Sequence, residues 1–242
     1  MSGKLYAIGT GPGAADLITV RGARILGELD VLYAPAGRKG GDSLSLGIVR
    51  DYLGAGVALK TRHFPMSQDA EEKGAAWDAV ALEMAADAEQ GLQVGFITLG
   101  DAMLYSTWVF LLARLRGRIE IEIIPGVTSF ACIAARAQLP LAMENQSLAV
   151  MACTDDERAL ETALLTHDCV VLMKVYGRFA RIQALLRRLG LIDHALLMAN
   201  ASLPDEQCFH ALGDLAPDRA LPYFSTIVVN KSWANAFENS DL

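Results

Sequence analysis

Short apolar runs alternate along the chain with longer segments in which apolar residues recur at helical spacing. Short runs bounded by glycine or polar residues are typical of buried strands, and longer amphipathic segments are typical of helices that pack on a sheet. Strands are predicted at residues 5–8, 31–33, 57–60, 94–98, 119–124, 148–151, 169–174, 195–200, around 208–212, and 223–229. Helices are predicted at residues 17–29, 44–53, 75–90, 108–115, 130–137, 155–166 and 179–189.

Strands and helices alternate regularly up to residue 124, which predicts a doubly wound, mostly parallel sheet. The strand pattern then restarts, and strand 195–200 is expected to pair with the one around 208–212 in a mixed sheet. The predicted fold class is therefore α/β, with two α/β domains and a cleft between them. We expect the boundary at a proline-glycine turn, which gives an N-terminal domain at 1–124 and a C-terminal domain at 125–242.

Composition excludes several classes of protein. Of 242 residues, 52% are hydrophobic, and the net charge of −7 argues against broad binding to nucleic acid or an anionic membrane. No signal peptide and no apolar window of about 18 residues is found, so a cytoplasmic protein is predicted. The cysteines are widely spaced, which predicts four buried free thiols and no structural zinc: Cys132, Cys153, Cys169 and Cys208.

The turn at Gly100 and Asp101 is the first candidate site, because it directly follows the apolar run 94–98. Open α/β sheets hold ligands at the carboxyl ends of their strands, and glycine lets a ligand approach the backbone. The Asp101 carboxylate could fix a hydroxyl or a cation of such a ligand. The alternative is that Asp101 caps the helix at 108–115.

A glycine-rich loop follows the first predicted strand, as in dinucleotide-binding proteins. The spacing of its glycines is wrong for that fingerprint, and Pro12 removes a backbone N–H that a pyrophosphate would need. The acidic residue expected after the second strand is also missing. The sequence therefore disfavours a nicotinamide site.

Asp16 is predicted to cap the helix at 17–29.

Other polar residues lie at predicted strand or helix ends. Thr128 and Ser129 come just before helix 130–137, whose free N–H groups could face a ligand. The glycine-rich segment 34–42 is predicted to be either a surface loop or a flap that covers the bound substrate.

Three motifs together give the chain a resemblance to a known family. They are Ile8-Gly9-Thr10-Gly11-Pro12-Gly13 with Leu17-Ile18-Thr19-Val20-Arg21-Gly22-Ala23 behind it, then Leu99-Gly100-Asp101, then Pro125-Gly126-Val127-Thr128-Ser129. In this order and spacing they resemble the tetrapyrrole methylase family of class III S-adenosylmethionine-dependent methyltransferases. The resemblance covers essentially the whole chain.

Within that family, Leu104-Tyr105-Ser106-Thr107 after the Leu-Gly-Asp turn resembles the enzymes that methylate C-20 of precorrin-2 or cobalt-factor II in cobalamin biosynthesis. Relatives usually have proline after the aspartate, where this chain has Ala102, which loosens the turn. The resemblance implies a kinked, two-domain homodimer that binds S-adenosylmethionine in its interdomain cleft and methylates a small-molecule tetrapyrrole. It does not distinguish a metal-free substrate from a cobalt complex.

The resemblance also implies the site residues, carried over by motif. Cofactor contacts are expected at Pro12, Leu99, Gly100, Asp101, Leu104, Tyr105, Thr128 and Ser129, and in the C-terminal domain at Met173 or Lys174, Ala201, and Ser225 or Thr226. No catalytic residue and no metal is assigned, because methyl transfer to an electron-rich carbon mainly requires orientation.

The substrate is a polycarboxylate, whereas the chain is net negative, so local cations must offset the charge. The candidates in first-domain loops and helix starts are Arg21, Arg38, Lys39, Arg62 and His63. Three alternatives stay open. The chain could methylate another position, such as C-2/C-7 of uroporphyrinogen or C-17 of precorrin-3. It could bind a tetrapyrrole or adenosyl cofactor without catalysis, or it could be a nicotinamide oxidoreductase.

Overall fold

The computed structural model describes residues 3–36, 43–65, 70–154 and 156–233. The chain forms two compact units, Met1–Thr128 and Ser129–Leu242. The division lies in the turn that follows the last strand of the first unit, just beyond the position expected from the sequence. Residues 125–128 stay with the first unit because Gly126 packs against the backbone of Gly9 and Gly100.

The first unit contains five strands and four α-helices among its described residues. They are β1 (Lys4–Gly9), α1 (Val20–Leu26), β2 (Val31–Ala36), α2 (Leu44–Val49), β3 (Ala58–His63), α3 (Ala70–Glu89), β4 (Gln93–Thr98), α4 (Trp108–Leu115) and β5 (Glu120–Ile124). The strand order is β3-β2-β4-β1-β5, and every pair is parallel. This confirms the predicted parallel sheet. All five carboxyl ends therefore lie at one edge.

Both faces of this sheet are covered. Successive residues of β4 point to opposite sides, so Phe96 packs with Met84 of α3 and Leu111 of α4, whereas Ile97 packs with Leu26 of α1 and residues of α2. Strands buried on both faces read as continuous apolar runs, which explains why the sequence located them well.

The second unit contains five strands and three α-helices among its described residues. They are α5 (Ser129–Ala137), β6 (Leu148–Ala152), α6 (Glu157–Thr166), β7 (Cys169–Met173), α7 (Phe179–Arg188), β8 (Ala195–Ala199), β9 (Gln207–Phe209) and β10 (Ser225–Asn230). The order is β6-β7-β10-β8-β9. Strands β6 and β7 are parallel, whereas β10 runs antiparallel to β7 and β8, and β9 antiparallel to β8. The mixed sheet is thereby confirmed.

The first helix begins later than predicted. Residues Ala15–Leu17 form a short 3-10 turn, and α1 starts at Val20. The cap is Thr19, whose hydroxyl accepts the N–H of Gly22 at 3.1 Å, so the prediction of Asp16 as the cap is wrong. A hydroxyl directly before the helix satisfies an otherwise unbonded N–H, which Asp16 is too far along the chain to reach.

Two other expectations need correction. Residues 34–36 were expected in a loop but continue β2, and Pro35 is tolerated because β2 pairs with β4 only over residues 31–33. Cys208 is exposed rather than buried, because it lies on the short edge strand β9, whereas the other three thiols are buried. Helix α6 starts at Glu157, and Asp155 lies outside the described residues.

Within the described part of the chain, we find no helix with the length and apolar character needed to span a membrane.

Candidate functional site

Three loops meet in backbone contact at the carboxyl edge of the first sheet. The residues in contact are Gly9, which ends β1, Gly100 in the loop after β4, and Gly126 in the loop after β5. A Cβ placed on Gly9 would lie 2.6 Å from the carbonyl oxygen of Gly100 and 2.7 Å from the nitrogen of Gly126. Only glycine permits such an approach, so these positions are required by the packing of the loops themselves.

Asp101 joins two of these loops. Its Oδ1 accepts the N–H of Met103 at 2.8 Å, and its Oδ2 accepts the N–H of Gly126 at 2.9 Å. It does not cap α4, because that helix begins at Trp108, whose N–H is accepted by the hydroxyl of Ser106 at 3.1 Å. The alternative that Asp101 is a helix cap is therefore wrong.

Several of the predicted first-unit cofactor residues lie at or next to this junction. Gly100 donates its N–H to the carbonyl oxygen of Gly11 at 2.7 Å, which places the buried Pro12 beside the Leu99–Asp101 turn. Gly100 has a φ of +71°, and a Cβ built there would meet no atom within 4 Å. Tyr105 also has a positive φ, 49°, and is 45% exposed. An open backbone surface beside strained residues is a common arrangement at ligand sites.

Thr128 and Ser129 lie where the two units divide. Ser129 is the first residue of α5, and both side chains are half-buried. Their hydroxyl groups and the first N–H groups of α5 are thus placed as the sequence predicted, at the beginning of a helix.

The predicted second-unit residues all lie at one end of the second sheet. Strand β10 begins there, with Thr226 opposite Met173 and Ser225 opposite Ala199. The chain leaves β7 and β8 through left-handed residues, with φ of 58° at Lys174. Asn200 and Ser202, on either side of the buried Ala201, have φ of 53° and 63°. The structure therefore brings together Met173, Lys174, Ala201, Ser225 and Thr226.

Side-chain contacts in this region stabilise the turns. The buried Ser225 hydroxyl donates to the carbonyl oxygen of Pro222 at 2.7 Å. Asn200 donates its Nδ2 hydrogen to Asp205 at 2.7 Å. A ligand at this edge would meet backbone groups and exposed side chains, because the Ser225 hydroxyl already has a partner.

Arg62 lies near the carboxyl end of β3, as predicted, but it is paired. Its Nε and Nη2 donate to the two oxygens of Glu83 on α3 at 2.7 and 2.5 Å, and its Nη1 donates to the Thr61 carbonyl oxygen at 2.9 Å. These hydrogen bonds hold the pKa of Glu83 below its usual range.

The other predicted cations differ in their surroundings. Arg21 is paired with Glu122 of β5. His63 ends β3, and its Nδ1 is buried without a hydrogen-bond partner among the described residues. Arg38 and Lys39 lie outside the described residues.

A polar cluster next to Arg62 is not predicted by any sequence pattern. The buried Tyr33 hydroxyl donates to Asp87 at 2.6 Å, and Lys60 Nζ donates to the same oxygen at 2.7 Å. Burial, together with the Asp87 hydrogen bond, raises the pKa of Tyr33. The sequence pattern predicts only an apolar strand at Tyr33, and no local pattern links it to a residue on α3.

An aromatic group in the second unit was also missed. Tyr176, Tyr223 and Phe224 lie together at the carboxyl ends of β7 and β8, with Tyr176 and Tyr223 ring centroids 6.1 Å apart. The sequence pattern contains little sign of this group, because Tyr176 lies between a predicted strand and a predicted helix, and the other two residues begin a predicted strand.

Comparison with known proteins gives the family. Residues 4–216 match the family described as Tetrapyrrole (Corrin/Porphyrin) Methylases, which is most of the chain. The chain belongs to the tetrapyrrole methylase family.

Two relatives of this tetrapyrrole methylase match over nearly their full length. The chain is 64% identical, over 98% of its length and 100% of the relative, to a cobalt-precorrin-2 C(20)-methyltransferase from Salmonella typhimurium. It is 30% identical to a precorrin-2 C(20)-methyltransferase from Sinorhizobium sp, over 94% of this chain and 95% of that one.

Solved structures agree in fold. A cobalt precorrin-4 methyltransferase of cobalamin biosynthesis has a TM-score of 0.72 at 23% identity, over 94% of both chains. A uroporphyrin-III C-methyltransferase from Thermus thermophilus, solved with S-adenosylhomocysteine, has a TM-score of 0.65 at 23% identity, over 94% of this chain and 97% of that one. At this identity the likeness establishes that the tetrapyrrole methylase fold is shared.

Proposed function

We propose that this chain transfers a methyl group from S-adenosylmethionine to C-20 of cobalt-precorrin-2 in cobalamin biosynthesis. The observation that carries the proposal is 64% identity along the whole length of the cobalt-precorrin-2 C(20)-methyltransferase from Salmonella typhimurium. The precorrin-2 C(20)-methyltransferase from Sinorhizobium sp is much less similar, at 30% identity. The cobalt complex is therefore the favoured substrate.

The residues present fit the cofactor. A sulfonium cation joined to a zwitterionic amino acid is best held by backbone N–H and C=O groups and a few hydroxyls. The open backbone at Gly100 and the half-buried hydroxyls of Thr128 and Ser129 provide such groups. The residues proposed to hold the cofactor are Pro12, Leu99, Gly100, Asp101, Leu104, Tyr105, Thr128, Ser129, Met173, Lys174, Ala201, Ser225 and Thr226.

When bound, S-adenosylmethionine supplies an electrophilic methyl group. The protein then has to orient the two reactants, and orientation alone can lower the barrier by about 7–11 kcal/mol. The glycine junction is suited to that task, because its three loops are fixed by backbone contact rather than by mobile side chains. Asp101 also supports the junction, because its Oδ2 accepts the N–H of Gly126.

Five cations remain proposed partners of the substrate carboxylates: Arg21, Arg38, Lys39, Arg62 and His63. For Arg62 and Arg21, a substrate carboxylate would compete with Glu83 and Glu122, respectively. Any gain in affinity from these two is the difference between two ion pairs, and it is therefore expected to be small.

Methyl transfer under anaerobic conditions tests the function. The full-length chain is given labelled S-adenosylmethionine with either precorrin-2 or its cobalt complex, and the product is analysed by mass and NMR. One methyl on C-20 of the cobalt complex is expected. A methyl at another carbon would move the chain to another branch of the family, and binding without product would make it a binding protein.

The proposal includes a homodimer in the cytoplasm. All four cysteines are free, which suits a reducing compartment. Sedimentation equilibrium of the purified chain gives the oligomeric state, and a mass of one chain would contradict the dimer.

A further inference from the structure

Three large aromatic side chains are exposed together in the second unit. Tyr176 and Tyr223 are each 52% exposed, and Phe224 is 41% exposed. Their rings contact one another, with centroids 6.1 Å apart for Tyr176 and Tyr223 and 5.1 Å apart for Tyr223 and Phe224. We call these three residues the aromatic cluster. A contiguous exposed aromatic patch commonly marks a binding site in a folded protein.

The position of the aromatic cluster in the sheet is well defined. Tyr223 and Phe224 immediately precede β10, whose first residues pair with the last residues of β7 and β8. The Phe224 carbonyl oxygen accepts the N–H of Asn200 at 2.9 Å, which ties this segment to the end of β8. Tyr176 lies in the turn that leaves β7. The aromatic cluster thus shares one edge with the proposed cofactor residues of this unit.

The backbone beneath the cluster is fixed. Val175 is fully buried and anchors the Tyr176 turn, and the Ser225 hydroxyl donates to the carbonyl oxygen of Pro222, the residue before Tyr223. Lys174 has a φ of 58°, which is uncommon for lysine, whereas Asn200, with a φ of 53°, is a residue that adopts this left-handed conformation more readily. A strained turn at Lys174 and large aromatic rings held in solvent are hard to explain by folding alone, but they suit a preorganised ligand site.

We propose that the aromatic cluster binds the conjugated ring of the tetrapyrrole. This rests on the proposed function, which supplies the class of substrate. The rings of the cluster meet at 55° and 86°, so they offer both faces and edges to a flat ligand. Lys174 and Arg178 lie two residues before and two residues after Tyr176, so this segment also carries positive charge, which suits a ligand with carboxylates at its rim.

The adenine of the cofactor is the other flat ring that could stack here. The aromatic cluster extends over three rings, whereas adenine covers the area of one side chain, and this favours the larger macrocycle. The two ligands can be distinguished by experiment because S-adenosylhomocysteine carries the adenine without the tetrapyrrole.

The test uses full-length Tyr176→Ala, Tyr223→Ala and the double variant. Affinity for cobalt-factor II is measured by absorbance titration, affinity for S-adenosylhomocysteine by calorimetry, and KM and kcat with the cobalt substrate. Each alanine substitution is expected to weaken tetrapyrrole binding about tenfold and to raise the KM for the cobalt substrate by a similar factor. The affinity for S-adenosylhomocysteine is expected to change less than about twofold. Tyr223→Phe keeps the ring and is expected to restore wild-type affinity.

The matched control is Phe110→Ala, which removes an aromatic ring that is 47% exposed on α4 of the first unit. It should leave the affinity for cobalt-factor II unchanged. If the double variant does not fold, the affinity of Tyr176→Leu and Tyr223→Leu for cobalt-factor II is measured in its place. Leucine keeps much of the apolar volume but has no aromatic face, so these variants should also bind the tetrapyrrole more weakly.

Unchanged affinity for cobalt-factor II in the alanine or leucine variants would overturn the inference. Weaker binding of S-adenosylhomocysteine alone, with tetrapyrrole binding unchanged, would overturn it too. Failure of the proposed function would look different. Wild-type chain would then methylate neither precorrin-2 nor its cobalt complex at C-20, whatever the variants bind.

Discussion

The Asp101 carboxylate accepts the backbone N–H of Gly126 at 2.9 Å and so joins the loop after β4 to the loop after β5. Its other oxygen accepts the N–H of Met103 within its own turn. Both oxygens are therefore used to position backbone. An aspartate that resembles a ligand contact in the sequence is, in the folded chain, first a support for the loops around the proposed cofactor site.

Replacing Asp101 tests that role. Asp101→Asn keeps one acceptor but turns an N–H toward the second backbone N–H, and Asp101→Ala removes both acceptors. Either change should cost about 1–3 kcal/mol of stability, the expense of a partly buried donor left unpaired. Binding of S-adenosylhomocysteine, measured by calorimetry, should weaken in both variants. Wild-type affinity in both would show that Asp101 contributes nothing to the cofactor site.

The glycine junction predicts a steric effect at Gly126. A Cβ there would overlap the carbonyl oxygen of Gly100 and lie 2.9 Å from the backbone of Gly9, and neither neighbour is a flexible side chain. Gly126→Ala should therefore lower the free energy of unfolding by about 1–3 kcal/mol, as overpacking usually does.

Gly47→Ala is the matched control for Gly126→Ala. Gly47 lies within α2, and a Cβ there would meet no atom within 4 Å. Alanine is the better helix former, so this variant should be neutral or up to about 1 kcal/mol more stable. Urea unfolding of both variants gives the comparison, and equal effects at the two positions would exclude the proposed crowding.

The ion pair between Arg62 and Glu83 predicts a pH dependence. The pKa of Glu83 is lowered by Arg62 in the folded chain, so the pair stabilises above the ordinary glutamate pKa of about 4.3. That stability is lost as the pH falls through the lower folded value. Arg62→Ala should remove about 1 kcal/mol at pH 7, because the two side chains are 34% and 33% exposed and water screens them.

Below about pH 4.5, the free energy of unfolding of the Arg62→Ala variant should therefore change less with pH than that of the wild type. Urea unfolding at several pH values measures both.

The Arg62→Ala variant also tests substrate binding. Cofactor affinity should be unchanged, while tetrapyrrole affinity should fall if Arg62 contacts a carboxylate. Unaltered tetrapyrrole affinity would remove Arg62 from the substrate site and leave it a structural residue.

The buried hydroxyl of Tyr33 predicts a larger effect than an exposed one. Tyr33→Phe removes the 2.6 Å hydrogen bond to Asp87, and it should cost about 1–2 kcal/mol because the carboxylate loses one of its two described partners. Tyr6→Phe is the control, since its hydroxyl bonds Gln93 at 3.2 Å in a partly buried position. Thermal unfolding should separate the two variants, and equal melting temperatures would contradict the importance of burial.

The sequence by itself determined the elements and their order. Apolar runs buried on both faces, such as β4, and amphipathic segments, such as α4, are local patterns of side chains, and they were located to within a few residues. The glycine-rich and Leu-Gly-Asp motifs also identified the family, because glycines required by a close backbone approach leave a mark in the sequence itself.

Only the tertiary structure decided what the side chains at those positions contact. Thr19 rather than Asp16 caps α1, Arg62 is held by Glu83, and Asp101 holds Gly126, each through the geometry of a turn or through a partner far along the chain. Tyr176 meets Tyr223 because an antiparallel β10 returns beside β7. Hydrogen bonds and ring contacts of this kind depend on distances of a few ångströms between segments, which no periodicity along a single segment encodes.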